Sequence, residues 1–151
     1  MSKTENLPSP GVAAGITEAM IERLVHEFYS RVRKDKLLGP VFEAIVEEWD
    51  DHLRKLCDFW SSVALLSGRY KGTPMQAHAA IGNISAQHFD RWLELFSATA
   101  SDTCPQAAAV FFNDRAGRIA QSLERGIAVH RGDILGAGAR LGSARGTPAN
   151  G

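Results

Sequence analysis

Every long segment of this chain repeats its apolar residues at three- and four-residue steps, and none alternates them at the two-residue step of a half-buried strand. In the first such segment Ile21, Leu24, Val25, Phe28 and Val32 form the stripe that an amphipathic helix buries, and Tyr29 brings a hydroxyl to its edge. His52, Leu56, Phe59, Trp60 and Val63 share one face of a second long helix, which starts within residues 47–51 and reaches about Leu66. Ser85 caps a third, running through His88, Phe89, Trp92, Leu93 and Phe96. A last helix runs from about Pro105 to about His130 and buries Phe112, Ala116, Ile119, Leu123 and Ile127. The pattern predicts an all-α fold of about five substantial helices.

Punctuation divides the chain. Residues 1–16 are rich in Pro, Gly, Ser and Ala without a period and read as a flexible lead-in, so the domain is expected over residues 17–130. After Gly132 the composition collapses to Gly, Ala, Arg, Ser and Pro, and residues 131–151 read as a disordered tail. Arg31, Arg33, Lys34 and Lys36 suit a solvated helix C-terminus, Gly39-Pro40 marks a break, and Val41, Phe42 and Ile45 read as a short connecting segment.

The 151 residues suffice for one domain with one core that could enclose a mid-sized ligand. Seventeen basic residues balance 17 acidic ones, which removes the field that non-specific nucleic-acid binding needs. The first 16 residues lack an apolar core of signal-peptide length, and no apolar run approaches the roughly 20 residues of a membrane span. A cytoplasmic protein with no membrane partner is the expectation. Cys57 and Cys104 are then thiols, read as small buried hydrophobes.

Candidate chemistry concentrates in residues 74–96. Thr73 suits an N-cap and Pro74 a first helical position, so His78 stands one turn inside a short helix that Ile81-Gly82-Asn83 ends. There is no phosphate-binding glycine loop in strand–helix context, no CxxC, no paired-histidine zinc spacing and no nucleophile elbow. Of the five histidines, His26, His88 and His130 read as solvated or partly buried helix positions. His52 and His78 stand among apolar neighbours, where an imidazole needs a hydrogen-bond partner or a metal. The residues alone leave both alternatives open.

Four segments, FYSRVRKDKLLGPVF, EEWDDHLRKLCDFW, PMQAHAAI and HFDRWLELF, occur in the order and near the spacing of the truncated haemoglobins, and the chain most resembles their group III. The resemblance covers roughly residues 17–130. It implies a truncated globin fold, a two-over-two helical sandwich around one haem b. His78 matches the proximal histidine that ligates the iron, with a carbonyl one turn earlier, at Pro74 or Met75, holding its other nitrogen. Tyr29 matches the distal tyrosine, Trp92 the tryptophan that donates to a bound ligand, and His52 the distal histidine that swings as a gate. Leu56, Phe59 and Trp60 would form the distal wall, Phe42, Met75 and Phe89 would touch the haem, and Arg69, Tyr70 or Lys71 would pair its propionates. Three departures stand out, the first being that the two glycine motifs typical of other truncated haemoglobin groups are not clearly present, which fits group III. The segment 43–48 is shorter than the family's, which would displace the gate, and Ala79-Ala80-Ile81-Gly82 replaces the usual leucine and proline after the proximal histidine.

An open iron position binds dioxygen, carbon monoxide, nitric oxide or peroxide, and two donors imply slow release. Nitric oxide dioxygenation or peroxidase-like chemistry, served by an unidentified reductase, then fits better than oxygen storage or transport. A haem-based carrier or sensor, or a cofactor-free helical interaction module, are the alternatives.

Overall fold

The computed structural model describes residues 10–72 and 84–130 and forms six helices within them. Thr73, Pro74, Met75, His78, Ile81-Gly82-Asn83 and the expected tail lie outside the described residues.

The order begins earlier than the lead-in reading allows. α1 (Pro10–Ala13) is a single turn whose Gly11 lies so close to the second long helix that a β-carbon there would fall 2.2 Å from the Ala64 carbonyl oxygen. Only glycine permits that approach. Ile16 follows it into the core at 3% exposure.

α2 (Glu18–Lys34) opens as expected at Thr17, whose hydroxyl accepts the Met20 N–H at 3.2 Å. Its stripe of Ile21, Leu24, Val25, Phe28 and Val32 is buried, and so is Tyr29. The basic run at its end is partly tied down rather than solvated. Arg31 donates to Glu27 and Asp102 at 2.9 Å each and to Thr99 at 3.3 Å, joining α2 to a later helix. Asp35 closes α2 and accepts the Leu37 and Leu38 N–H groups at 3.1 and 3.0 Å, while Arg91 donates to it at 2.7 Å. Burial opposes its charge, yet Arg91 and those two amides hold the carboxyl below its ordinary range.

Gly39-Pro40 does not break the chain but sits in the first turn of α3 (Leu38–Ile45), so Val41, Phe42 and Ile45 are helical rather than connecting. Proline is tolerated in that turn because its missing N–H had no intrahelical partner to lose. α4 (Trp49–Leu65) follows and ends at Leu66 in the left-handed region (φ 56°). α5 (Ala86–Thr103) starts after Ser85, and α6 (Gln106–His130) fills the expected span.

α2 packs along α3, α4 and α5, α5 runs along α6, and α1 covers part of α4. The α2–α4 and α5–α6 pairs therefore form two layers. Phe28, Phe96 and Phe112 fill the core between them at 1% exposure or less. Phe96 stacks on both Trp60 (5.3 Å, 17°) and Trp92 (5.4 Å, 12°), which makes a column of three near-parallel rings. No described helix is long and apolar enough to cross a membrane.

Candidate ligand pocket

A cavity of about 270 Å³ opens between the layers, and the helical periods explain its walls. Tyr29 reaches it from α2. His52, Leu56, Phe59 and Trp60 reach it from one face of α4, Phe42 comes from α3, and Phe89 and Trp92 come from α5. Nine sequence-predicted residues thus meet at one site once Tyr70 is added.

Tyr70 is brought there by a loop with its own anchors. Its backbone N–H donates to Ser62 at 2.8 Å, and its ring meets Phe59 edge-on at 5.3 Å. The two neighbouring cations diverge from it. Arg69 turns to Glu18 at 3.5 Å, Lys71 is exposed, and neither lines the cavity. Met75 and His78 lie outside the described residues.

At one end of the cavity the polar groups converge. Tyr29 is 5% exposed, and burial pushes its phenol up to about 12, against a hydrogen bond from Trp92 that lowers it. An indole can only donate, so Trp92 gives its proton to the Tyr29 oxygen and leaves the tyrosine its own proton for another acceptor. The two expected donors therefore stand in series in this arrangement. His52 meets Tyr29 edge-on at 5.8 Å, and Phe42 meets Tyr29 at 5.7 Å.

Sequence reasoning missed several wall residues. Lys55 lines the cavity three residues after His52, with Asp51 at 3.2 Å from its amine. A pattern read for apolar positions passes over it, although the same helical step places it beside His52. His88 also lines the cavity, and its Nδ1 accepts the Ser85 N–H at 3.1 Å, closing a capping box at the start of α5. The Ser-x-x-His spacing, with histidine where Glu or Gln is usual, was the available signal. Burial holds this imidazole below its ordinary pKa. Leu38, Val41, Ile84, Ile119, Ala120 and Leu123 complete the apolar wall.

An all-α fold of two helical layers, enclosing an apolar cavity with a phenol, an indole and an imidazole at one end, defines a globin-type pocket. The family model of bacterial-like globins matches residues 13–110. Over 85 residues the chain is 38% identical to the group 3 truncated hemoglobin ctb of Campylobacter jejuni, spanning 54% of this chain and 67% of that one. The crystal structure of the group III truncated hemoglobin from Campylobacter jejuni superposes with a TM-score of 0.67 at 32% identity, covering 72% of this chain and 88% of that one. A hemoglobin from the thermophilic phototrophic bacterium Chloroflexus aurantiacus shares the fold, with a TM-score of 0.63 at 21% identity over 78% of this chain and 98% of that one. The chain belongs to the bacterial-like globin family, among the truncated haemoglobins of group III.

Membership implies small-ligand binding through haem, and the residues present fit that group. A macrocycle needs apolar faces above and below, and α3, α4, α5 and α6 supply them. Its carboxylates need polar partners, and Lys55 and Tyr70 both line the cavity. A ligand on its iron needs a donor, and the Tyr29 hydroxyl has a proton to give.

Proposed function

We propose that this chain binds haem b, that His78 would hold its iron, and that the site would take dioxygen, carbon monoxide or nitric oxide. The observation that carries the reading is the buried Tyr29 phenol, backed by the Trp92 N–H, on the wall of a mostly apolar cavity. When bound, haem supplies an open iron position and the electrons for oxygen or peroxide chemistry.

The chain's own residues set the rest. Tyr29 holds a proton for the outer atom of a ligand in the cavity, and its raised pKa keeps that proton in place across the physiological range. Trp92, donating to the phenol oxygen, polarises the hydroxyl and makes it a stronger donor, because hydrogen bonds in series reinforce one another. His52 stands where it can close over the ligand, and Leu56, Phe59 and Trp60 exclude water. Lys55 and Tyr70, which line the cavity, hold the propionates. A ligand held by this pair leaves slowly, which favours chemistry on the bound ligand over oxygen delivery. Conversion of nitric oxide to nitrate, or cleavage of a peroxide bond, is the activity that fits, with an external reductase restoring ferrous iron.

Stopped-flow displacement of dioxygen tests the reading. A Tyr29→Phe protein should release it about 10- to 100-fold faster, the size of one hydrogen bond to a charged acceptor. Unchanged release would remove Tyr29 from the role.

A further inference from the structure

Arg33, in the last turn of α2, is bonded in two directions. Its Nε donates to Glu43 of α3 at 3.0 Å, and its guanidinium carbon lies 4.4 Å from the centre of the Trp49 ring, the first residue of α4. One side chain therefore joins three helices at the corner where the polar end of the cavity is built.

Trp49 is poorly tethered otherwise. Its indole nitrogen is buried without a hydrogen-bond partner among the described residues, so packing and the cation above it fix the ring. It also begins a helix, where intrahelical bonding is thinnest. The ring meets His52 edge-on at 5.5 Å and 88°, one turn further along, and tilts against Tyr29 at 6.3 Å. The Trp49, His52 and Tyr29 rings thus form a compact triangle in which each meets the other two.

We propose that Arg33 and Trp49 are positioning residues that hold His52 against Tyr29 and so set how readily a ligand reaches the cavity. The inference rests on the haem-pocket reading above. Moving Trp49 removes one of the two ring surfaces that His52 packs against and so loosens its placement against Tyr29. The clamp is weak by construction, since the Arg33 and Glu43 side chains are 46% and 50% exposed and their attraction is screened by solvent. A single cation–π contact corresponds to about a two- to five-fold change in an equilibrium or rate constant.

The test uses haem-loaded wild type, Arg33→Met, Arg33→Lys and Glu43→Gln. Carbon monoxide association is followed by flash photolysis, and the indole resonances of Trp49, Trp60 and Trp92 are followed by nitrogen-15 NMR of the carbon-monoxide-saturated ferrous protein. Arg33→Met should speed association about two- to five-fold and shift or broaden the Trp49 resonance while leaving Trp60 and Trp92 in place. Arg33→Lys, which keeps the cation, should restore most of both signals, and Glu43→Gln should fall between. An Arg33→Met protein with wild-type association rates overturns the inference, whether or not the Trp49 resonance moves. So does a rate change that Arg33→Lys fails to rescue, because the cation is then not responsible. If the wild type takes up no haem, the pocket reading falls and this inference with it. If the wild type binds haem and carbon monoxide normally, failure of the variants counts against the clamp alone.

Discussion

Two polar clusters sit on the same helix, and they differ in what they leave unsatisfied. On the α2–α5 seam, Thr99 is fully buried, donates to the Leu95 carbonyl at 2.7 Å and accepts from Arg31, which also reaches Glu27 and Asp102. That cluster is closed on itself. At the cavity, the Tyr29 oxygen accepts from Trp92 and keeps its own proton to donate, and the Trp49 indole nitrogen has no hydrogen-bond partner among the described residues. Burying a polar group without a partner costs about 1–3 kcal/mol, so a fold keeps such donors only where something else offsets the cost. The seam cluster is satisfied within the protein, and in the reading proposed above the open one would meet a ligand.

Exchanging the two responses is the sharpest way to break that distinction. Tyr29→Phe should change dioxygen release by the one to two orders of magnitude given above, while lowering stability by only about 1 kcal/mol through the Trp92 donor it strands. Thr99→Val should do the reverse. Unfolding in denaturant should show a loss of about 1 kcal/mol, because one buried hydrogen bond to Arg31 is gone, and ligand release should stay within about twofold of wild type. A Thr99→Val protein with altered release kinetics would show that the seam and the pocket are not separate.

The smallest effect is expected at His88, where wall and cap coincide. Burial holds its folded pKa below the ordinary 6.5, so the folded state prefers the neutral ring that accepts the Ser85 amide. The stability it contributes is full above 6.5 and fades as pH falls from 6.5 toward the lowered folded value. Melting temperatures measured across that window should drop less steeply for His88→Gln, since glutamine can close the same capping box without titrating. Identical slopes would detach His88 from the pH response.

Much of the fold was legible because it is written in local periods. Thr17 as a cap, the Ile21 to Val32 stripe, the His52, Leu56 and Phe59 face and the Ser85 start need only residues within a few turns of each other. What escaped depends on distant partners. α1 has no periodic pattern, and Gly11 matters only because Ala64 lies against it. Gly39-Pro40 is the exception, because it reads equally well as a break or as a first turn and the deciding contact is local: the Asp35 side chain accepts the Leu37 and Leu38 amides. Arg69 adjoins Tyr70 in the chain, but its side chain turns to Glu18, 51 positions earlier.

Within the pocket, the residue types were readable and their mutual geometry was not. Tyr29 and Trp92 fall on the inward faces of two helices, yet nothing in the sequence says that one donates to the other. Lys55 and His88 were passed over because polar residues beside an apolar stripe are usually solvated. Trp49 and Arg33 are 16 positions apart, too far for any helical pairing rule to connect them.

The most direct measurement is a titration of the purified protein with haemin, followed in the Soret region in the ferric form and then after reduction with and without carbon monoxide. The expected result is a saturable Soret band that shifts on adding carbon monoxide and is lost in His78→Ala. A wild-type protein that develops no Soret band, or a His78→Ala protein whose band matches the wild type's, would contradict a haem held by His78 in this pocket.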